Sequence, residues 1–209
     1  MAQIYAFGDS ITYGSWDTEY SGWANRLRLY FDQKTQEEDT PFTYFYNLGI
    51  PGENTDSLVK RFQSETEIRF RKNEDYTFLF AFGANDACFT PSKGEFQVPV
   101  ERYKQNLDSV INQAKEIASK VFILNITPVV DELTVAPIGK DKSRLNKYIE
   151  PYNQAVSELA QKNSIQLIDV HSAFMQHDLP TLFCEDGLHP NAKGHEIIFD
   201  LMKRSLNIV

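Results

Sequence analysis

Short apolar runs alternate with longer segments of helical periodicity along most of the chain, and this alternation constrains the fold more than any other feature. Runs rich in aromatic and β-branched residues predict five strands: Gln3–Phe7, Thr43–Leu48, Thr77–Phe82, Val121–Asn125 and Ile165–Asp169. Strands separated by helices pair in parallel through right-handed crossovers, with helices on both faces of the sheet. The pattern therefore predicts an α/β fold, specifically a three-layer α/β/α sandwich.

Apolar residues three to four positions apart predict two amphipathic helices. Their apolar faces consist of Val100, Tyr103, Leu107, Val110, Ile111, Ala114 and Ile117 in the first helix, and Ile197, Ile198, Leu201, Met202 and Leu206 in the second. Further helices are predicted over Trp23–Phe31, Thr55–Phe70 and Pro151–Lys162, where Pro151 either begins the last helix or kinks it. Cys88–Pro99 and Pro128–Lys142 are predicted to be irregular loops at the sheet edge where a substrate arrives.

The length of 209 residues and the lack of a Pro/Gly/Ser-rich linker predict a single domain over residues 1–209. The formal net charge of −8 argues against nucleic acid as a partner. The N-terminus lacks the pattern of a signal peptide and no apolar run reaches membrane-spanning length, so we expect a cytoplasmic protein. Cys88 and Cys184 have no zinc-site spacing, and we expect both to be reduced.

Four polar segments lie where an open parallel sheet forms its ligand site, beyond the carboxyl ends of the strands. The first three predicted strands end in GDSIT (8–12), NLGIPG (47–52) and GAND (83–86), and DGLHP (186–190) precedes the last helix. Each dipeptide or tripeptide alone is common in turns. Their conjunction at these four places indicates a catalytic site.

These segments resemble the blocks of the SGNH, or GDSL-type, hydrolase family, in the family's order from the first strand to the last helix. The resemblance implies that Ser10 is the nucleophile, that Asp186 and His189 complete a triad, and that Gly52 and Asn85 are oxyanion donors. It also implies a flavodoxin-like sheet of five parallel strands in the order 2-1-3-4-5. The nucleophile block differs from GDSL only in carrying isoleucine at its fourth position.

The chemistry of these residue types supports the same roles. A serine hydroxyl needs an adjacent base, and an imidazole accepts and returns a proton near neutral pH. Asp186 precedes His189 by three residues, with a glycine between them, so its carboxylate could reach Nδ1 and leave Nε2 for Ser10. The oxyanion formed from an ester needs preorganised donors, which we assign to the Ser10 N–H, the Gly52 N–H and the Asn85 amide.

The remaining histidines are predicted to have structural roles. His171 follows Asp169 and could form a rival pair with it, but a packed loop residue is the favoured interpretation. His177 is predicted to lie in a surface loop, and His195 early in the last helix.

Three functional hypotheses follow. The first is a carboxylic-ester hydrolase with an acyl-serine intermediate, a preference for short acyl groups and no cofactor or metal. The second is a binding module that keeps the fold without catalysis. The third is a metal-dependent phosphoesterase using Asp9, Asp86 and His189, although we expect the two aspartates to hold loops instead. The family includes arylesterases, thioesterases, lysophospholipases and carbohydrate acetylesterases, and the four blocks are common to all of these activities.

Overall fold

The computed structural model describes residues 1–38, 42–136 and 140–208. Its strands are β1 (Ala2–Gly8), β2 (Thr43–Gly49), β3 (Asp75–Ala81), β4 (Phe89–Thr90), β5 (Glu95–Phe96), β6 (Lys120–Leu124) and β7 (Gln166–Ile168). Its helices are α1 (Ser10–Tyr13), α2 (Trp23–Glu38), α3 (Thr55–Glu67), α4 (Val100–Lys115), α5 (Asp131–Thr134), α6 (Asn146–Asn163), α7 (Val170–Phe174) and α8 (Ala192–Leu206). The five predicted strands are all present, with bounds that differ by at most two residues.

The central sheet has the strand order β2-β1-β3-β6-β7, and each neighbouring pair is parallel. Counted without the short strands β4 and β5, this is the predicted order 2-1-3-4-5, which is confirmed. The last residues of β1, β2 and β3 stand side by side, because Gly8 pairs in register with both Gly49 and Ala81. Three of the four polar segments therefore leave the sheet at neighbouring points of one edge.

Helices cover both faces of the sheet, as the three-layer prediction requires. Alternate residues of each strand enter opposite cores, since successive side chains of a strand point to opposite faces. Tyr5 and Phe78 pack with residues of α3, α4 and α6. Ile4 and Leu79 pack with residues of α2, α7 and α8 on the other face.

The predicted start of one helix is wrong, because α6 begins at Asn146 and contains Pro151 in its interior. Proline lacks an N–H, so one backbone hydrogen bond of this helix is missing. The preceding turn is nevertheless held by Asn146, whose side-chain amide donates to the Val129 carbonyl and to Asp131, both at 2.8 Å. Burial of Ile149 in the core stabilises the same turn.

The two segments predicted as irregular loops contain short regular elements. Residues 88–99 include the antiparallel pair β4–β5, and residues 128–142 include α5, with 137–139 outside the described residues. The predicted ends of α2, α3 and α4 also differ from the structure, α2 being longer and the other two shorter. Such ends depend on packing more than on local periodicity.

Cys88 and Cys184 are both free thiols. Within the described ranges, no helix is both long enough and apolar enough to traverse a bilayer. The single domain over residues 1–209 and the cytoplasmic location stay predictions.

Candidate active site

Ser10 is the first residue of α1 and lies at the turn that leaves β1. The Asp9 carboxylate accepts the Ile11 N–H at 2.9 Å and so caps the short helix. A Cβ at Gly8 would lie 2.0 Å from Thr12 Oγ1, so the turn closes too tightly for any side chain there. The nucleophile block therefore folds into a tight strand-to-helix turn that fixes Ser10 at the carboxyl edge of the sheet.

The segment before α8 brings His189 to Ser10. His189 Nε2 lies 2.8 Å from Ser10 Oγ, and His189 Nδ1 lies 2.5 Å from an Asp186 carboxylate oxygen. An ionised carboxylate can only accept hydrogen bonds, so the proton of the neutral ring belongs on Nδ1 and the lone pair of Nε2 faces the serine hydroxyl. Gly187, at φ +67°, provides the turn between Asp186 and His189.

The Asp186 carboxylate is held in its ionised form by three hydrogen bonds. Partial burial raises its pKa. Hydrogen bonds from the His189 ring and from the N–H groups of His189 and Leu188 together outweigh that effect and lower the pKa to about 2. The carboxylate is therefore an anion throughout the neutral range. It can orient the imidazole and stabilise its protonated form.

The Asn85 side chain is buried and fixed at both ends of its amide. Its Nδ2 donates to the Glu53 carbonyl at 2.9 Å, and its Oδ1 accepts from Arg144 Nη2 at 3.0 Å. A guanidinium group can only donate, so the contact with Arg144 fixes which end of the amide is the oxygen. The second Nδ2 hydrogen remains available as a donor.

Gly52 immediately precedes Glu53, whose carbonyl accepts the Asn85 amide. A backbone N–H that must approach a substrate closely favours glycine, because no Cβ intervenes. The structure adds a second reason: Gly52 has φ +80°, although a Cβ there would meet no protein atom within 4 Å. Only glycine adopts this conformation without strain.

A family model described as "GDSL-like Lipase/Acylhydrolase family" matches residues 6–197. The chain belongs to this family. The predicted membership is thereby confirmed, and the chain is a carboxylic-ester hydrolase.

Two named relatives are similar in sequence to this chain over most of their length. A human isoamyl acetate-hydrolyzing esterase 1 homolog is 26% identical, over 94% of this chain and 78% of the human protein. A GDSL esterase/lipase from Arabidopsis thaliana is 28% identical, over 98% of this chain and 85% of its own length.

A solved structure, the acetylxylan esterase Axe2 of Geobacillus stearothermophilus, superposes with a TM-score of 0.73. The match covers 98% of this chain and 94% of that one at 16% sequence identity. At this identity the likeness establishes a shared fold only.

Asp9 and Asp86 adjoin the site residues of this GDSL-like hydrolase and are both buried. Burial raises the pKa of Asp9 to about 6 and that of Asp86 to about 7. One Asp86 oxygen accepts from the Thr55 N–H at 3.0 Å and from its hydroxyl at 2.5 Å. Asp9 thus caps α1, and Asp86 joins its loop to the first residue of α3. In the ranges that the structure describes, no group of three or more His, Cys, Asp or Glu side chains could hold a metal ion.

The other three histidines have contacts outside the proposed triad or are exposed. His171 belongs to α7 and not to a loop, since Asp169 caps that helix by accepting the Ser172 N–H. His177 is exposed, as predicted. His195 is fully buried in α8, where its Nδ1 accepts the Trp23 N–H at 3.3 Å and burial lowers its pKa to about 4.

Arg144 is the site residue that the sequence does not reveal. Besides Asn85, it contacts the Ala84 carbonyl through Nε at 3.1 Å. An arginine in a loop carries no signal that separates it from the other Lys and Arg residues of the chain. Only its tertiary contacts distinguish it.

Arg144 also lines an open cavity of about 570 Å³ beside the proposed triad. The lining residues are Leu133, Thr134, Lys140, Asp141, Lys142, Arg144, Asp186 and Leu188. The second predicted loop therefore forms much of this wall. The first predicted loop, Cys88–Pro99, contacts this wall, since the Ser92 N–H donates to the Asp141 carboxylate at 2.9 Å.

Proposed function

We propose that this GDSL-like hydrolase cleaves esters of short acyl groups through an acyl-serine intermediate on Ser10. The observation that carries the proposal is the 2.8 Å separation of Ser10 Oγ and His189 Nε2. At that distance the imidazole can take the hydroxyl proton during attack on an ester carbonyl. The Asp186 carboxylate, 2.5 Å from Nδ1, then stabilises the imidazolium.

In acylation, Ser10 Oγ bonds to the ester carbonyl carbon while His189 accepts the hydroxyl proton. The tetrahedral intermediate places negative charge on the former carbonyl oxygen. His189 returns the proton to the alcohol oxygen as the bond from carbon to that oxygen breaks, so the alcohol leaves neutral. The acyl group remains on Ser10.

Three donors are assigned to the oxyanion: the Ser10 N–H, the Gly52 N–H and the free Nδ2 hydrogen of Asn85. Such donors contribute most when they are oriented before reaction, because no reorganisation is then needed. The contacts of the Asn85 amide with Glu53 and Arg144 support this orientation. In deacylation, a water oxygen bonds to the acyl carbon while His189 accepts a proton from the water. His189 then gives this proton to Ser10 Oγ as the bond from the acyl carbon to Oγ breaks, which releases the acid and restores the serine.

The preference for short acyl groups rests on the named relatives. Isoamyl acetate and acetylated xylan, the substrates in two of their names, both carry acetyl groups. The open cavity of about 570 Å³ beside Asp186 exceeds what an acetyl group fills, so the cavity does not select for it. A series of p-nitrophenyl esters from acetate to octanoate tests the preference, and a rise of kcat/KM with chain length would reject it.

The nucleophile assignment is tested with Ser10→Ala against the control Ser109→Ala, an exposed serine on α4. We expect Ser10→Ala to lose turnover of p-nitrophenyl acetate and labelling by a fluorophosphonate, with the fold retained by circular dichroism. The control should keep both. Mass spectrometry of acid-quenched wild type should find the acetyl group on the peptide that contains Ser10. Turnover by Ser10→Ala near the wild-type rate would refute the assignment.

The same assay, repeated with chelators and divalent ions, tests the two other hypotheses, the binding module and the metal-dependent phosphoesterase. A folded wild type that is neither labelled nor active indicates a binding module without catalysis. Activity that chelators abolish and divalent ions restore indicates the metal-dependent phosphoesterase, for which the described residues offer no ligand cluster.

A further inference from the structure

Trp16 is an exposed aromatic residue beside the proposed base. The chain has two tryptophans, of which Trp23 is 1% exposed and Trp16 is 64% exposed. Burying an indole is strongly favourable, so a tryptophan left this open contributes little to the core. Its ring lies perpendicular to that of His189, at an interplanar angle of 87° and a centroid distance of 6.2 Å.

The backbone at Trp16 adopts a conformation that a bulky residue rarely takes. Its φ of +71° lies in the left-handed region, which is unfavourable for residues other than glycine, asparagine and aspartate. Strain of this kind persists only where the surrounding structure imposes it, and it concentrates at functional sites.

The surrounding loop is fixed by the next residue, Asp17. Its buried carboxylate accepts the N–H groups of Glu19, Tyr20 and Gly22 at 2.9–3.3 Å and forms an ion pair with Arg26. These bonds lower the pKa of Asp17 although its burial raises it, so the anchor stays charged at neutral pH. Trp16 is thus presented on a loop held in one shape, which preorganises it as a binding surface.

The position of Trp16 assigns it to one side of the ester. His189 gives its proton to the leaving alcohol, so the alcohol departs past the imidazole. The proposed oxyanion donors, Asn85 and Gly52, belong to other loops than Trp16 and His189. The indole contacts the imidazole ring and therefore lies on the alcohol side.

We propose that Trp16 is the binding platform for the alcohol part of the ester, and that this part carries a ring with a flat aromatic or C–H face. The proposal rests on the proposed function for the assignment of sides. A platform exposed over more than half of its surface contacts its ligand from one side. A rigid ring covers such a face with little loss of conformational freedom, whereas a linear alkyl chain must be ordered bond by bond.

The first test compares three acetates: ethyl acetate, benzyl acetate and a monoacetylated methyl pyranoside. Trp16→Asn removes the indole with a residue that tolerates positive φ, and Trp16→Phe keeps a flat ring. We expect Trp16→Asn to raise KM about tenfold for the preferred ring ester, with kcat and the constants for ethyl acetate within about twofold. Trp16→Phe should retain most of the affinity. The ring ester whose KM rises more in Trp16→Asn shows whether the preferred alcohol is aromatic or a pyranose.

Phe70→Ala is the matched control, because Phe70 is another half-exposed aromatic that stacks on Tyr76 near the opposite end of the sheet. Its kinetics with all three esters should equal those of wild type. Equal changes for ethyl acetate and the ring esters in Trp16→Asn, or an unchanged KM for both ring esters, would overturn the proposal.

A second test reads binding without turnover. In Ser10→Ala, titration with the preferred ring ester should change the fluorescence of the exposed Trp16, while the buried Trp23 stays silent. The change should vanish in Ser10→Ala/Trp16→Phe. An equal signal in both variants would reject the platform. Hydrolysis by Ser10→Ala would instead reject the nucleophile, so the two failures are distinguishable.

Discussion

The Asp186 side chain is held by bonds within its own loop, whereas the side chains of Asn85 and Asp86 are held by distant residues. The contrast concerns side chains, since each loop also has a backbone bond of the other kind: the Gly187 carbonyl accepts the Val130 N–H at 2.9 Å, and the Gly83 carbonyl accepts the Ala87 N–H at 2.8 Å. The first loop comprises residues 184–190 and is hereafter called the base loop. Within it, the Cys184 N–H donates to the His189 carbonyl at 2.9 Å. Asp186 accepts the N–H of His189 at 3.0 Å.

The second loop comprises residues 83–88 and is hereafter called the donor loop. Its side-chain hydrogen bonds join residues that are far apart in the sequence. Asn85 reaches Glu53 across 32 positions, Asp86 reaches Thr55 across 31, and Arg144 reaches Asn85 across 59. The base loop can thus place its side chains with few outside partners. The donor loop has its side chains in place only when three parts of the chain are assembled. Changes in the base loop should affect catalysis alone, and changes in the donor loop should affect catalysis and stability together.

The largest expected effect is that of His189→Asn in the base loop. Removing the proposed base should lower kcat/KM for p-nitrophenyl acetate by about 10⁴-fold or more. The melting temperature should barely change, because Asp186 still accepts the backbone N–H groups of residues 188 and 189. His177→Asn, at an exposed position, is the control and should change neither quantity. A large drop in melting temperature for His189→Asn would contradict the self-contained base loop.

Asn85→Ala in the donor loop should affect both quantities. Loss of one oxyanion donor lowers kcat by about 10²–10³-fold. The Glu53 carbonyl and the Arg144 guanidinium also lose their partner, which should cost about 1–3 kcal/mol of unfolding free energy. Steady-state kinetics and urea unfolding measure the two effects. Asn112→Ala, which removes an exposed bond to the Asp108 carbonyl, should change neither. A stability equal to wild type would show that the donor loop does not depend on this amide.

A smaller effect is expected for Arg144→Met, because Arg144 acts through Asn85 and is a positioning residue. Its charge fixes the amide and polarises it, which strengthens the Nδ2–H donor. We expect kcat to fall about tenfold with KM within about twofold. Lys142→Met removes a cation from the same cavity without touching Asn85 and should leave kcat unchanged. In the Asn85→Ala background, Arg144→Met should have little further effect, and additive losses would contradict the assignment.

The same contrast explains what the sequence predicts. The sheet and its order follow from apolar periodicity, since each strand carries its own pattern. The polar segments are found because parallel strands end at one edge, and the contact between Asp186 and His189 is local enough to be anticipated from their spacing. The roles of Ser10, Gly52 and Asn85 rest on the family resemblance and remain part of the proposed function.

Tertiary contacts account for what the sequence does not predict. Arg144 meets Asn85 only after both loops fold over the sheet. The early start of α6 depends on Asn146 reaching Val129 and Asp131, which overrides the expected boundary at Pro151. The exposure of Trp16 follows from a loop that Asp17 fixes through backbone contacts, which no side-chain pattern reports.

The smallest effect concerns Asp86, whose pKa is shifted in the opposite direction from that of Asp186. Burial raises the Asp86 pKa from 3.8 to about 7, so its protonated form contributes stability below pH 3.8 that is lost as pH rises through about 7. The Asp186 pKa is lowered to about 2, so its contribution is present above pH 3.8 and lost as pH falls towards 2.

Asp86→Asn should therefore remove part of the decline in stability between pH 5 and pH 8. Asparagine keeps an oxygen for the two Thr55 donors and has no charge to bury. Urea unfolding at pH 5 and pH 8 should show a smaller difference in unfolding free energy for the variant than for wild type. Asp108→Asn is the control and should leave this difference unchanged, because hydrogen bonds from Asn163 and Lys162 lower the pKa of that carboxyl, which therefore titrates below pH 5. An unchanged difference in Asp86→Asn would mean that Asp86 is already ionised in the folded protein at pH 5, and that the donor loop stabilises its charge.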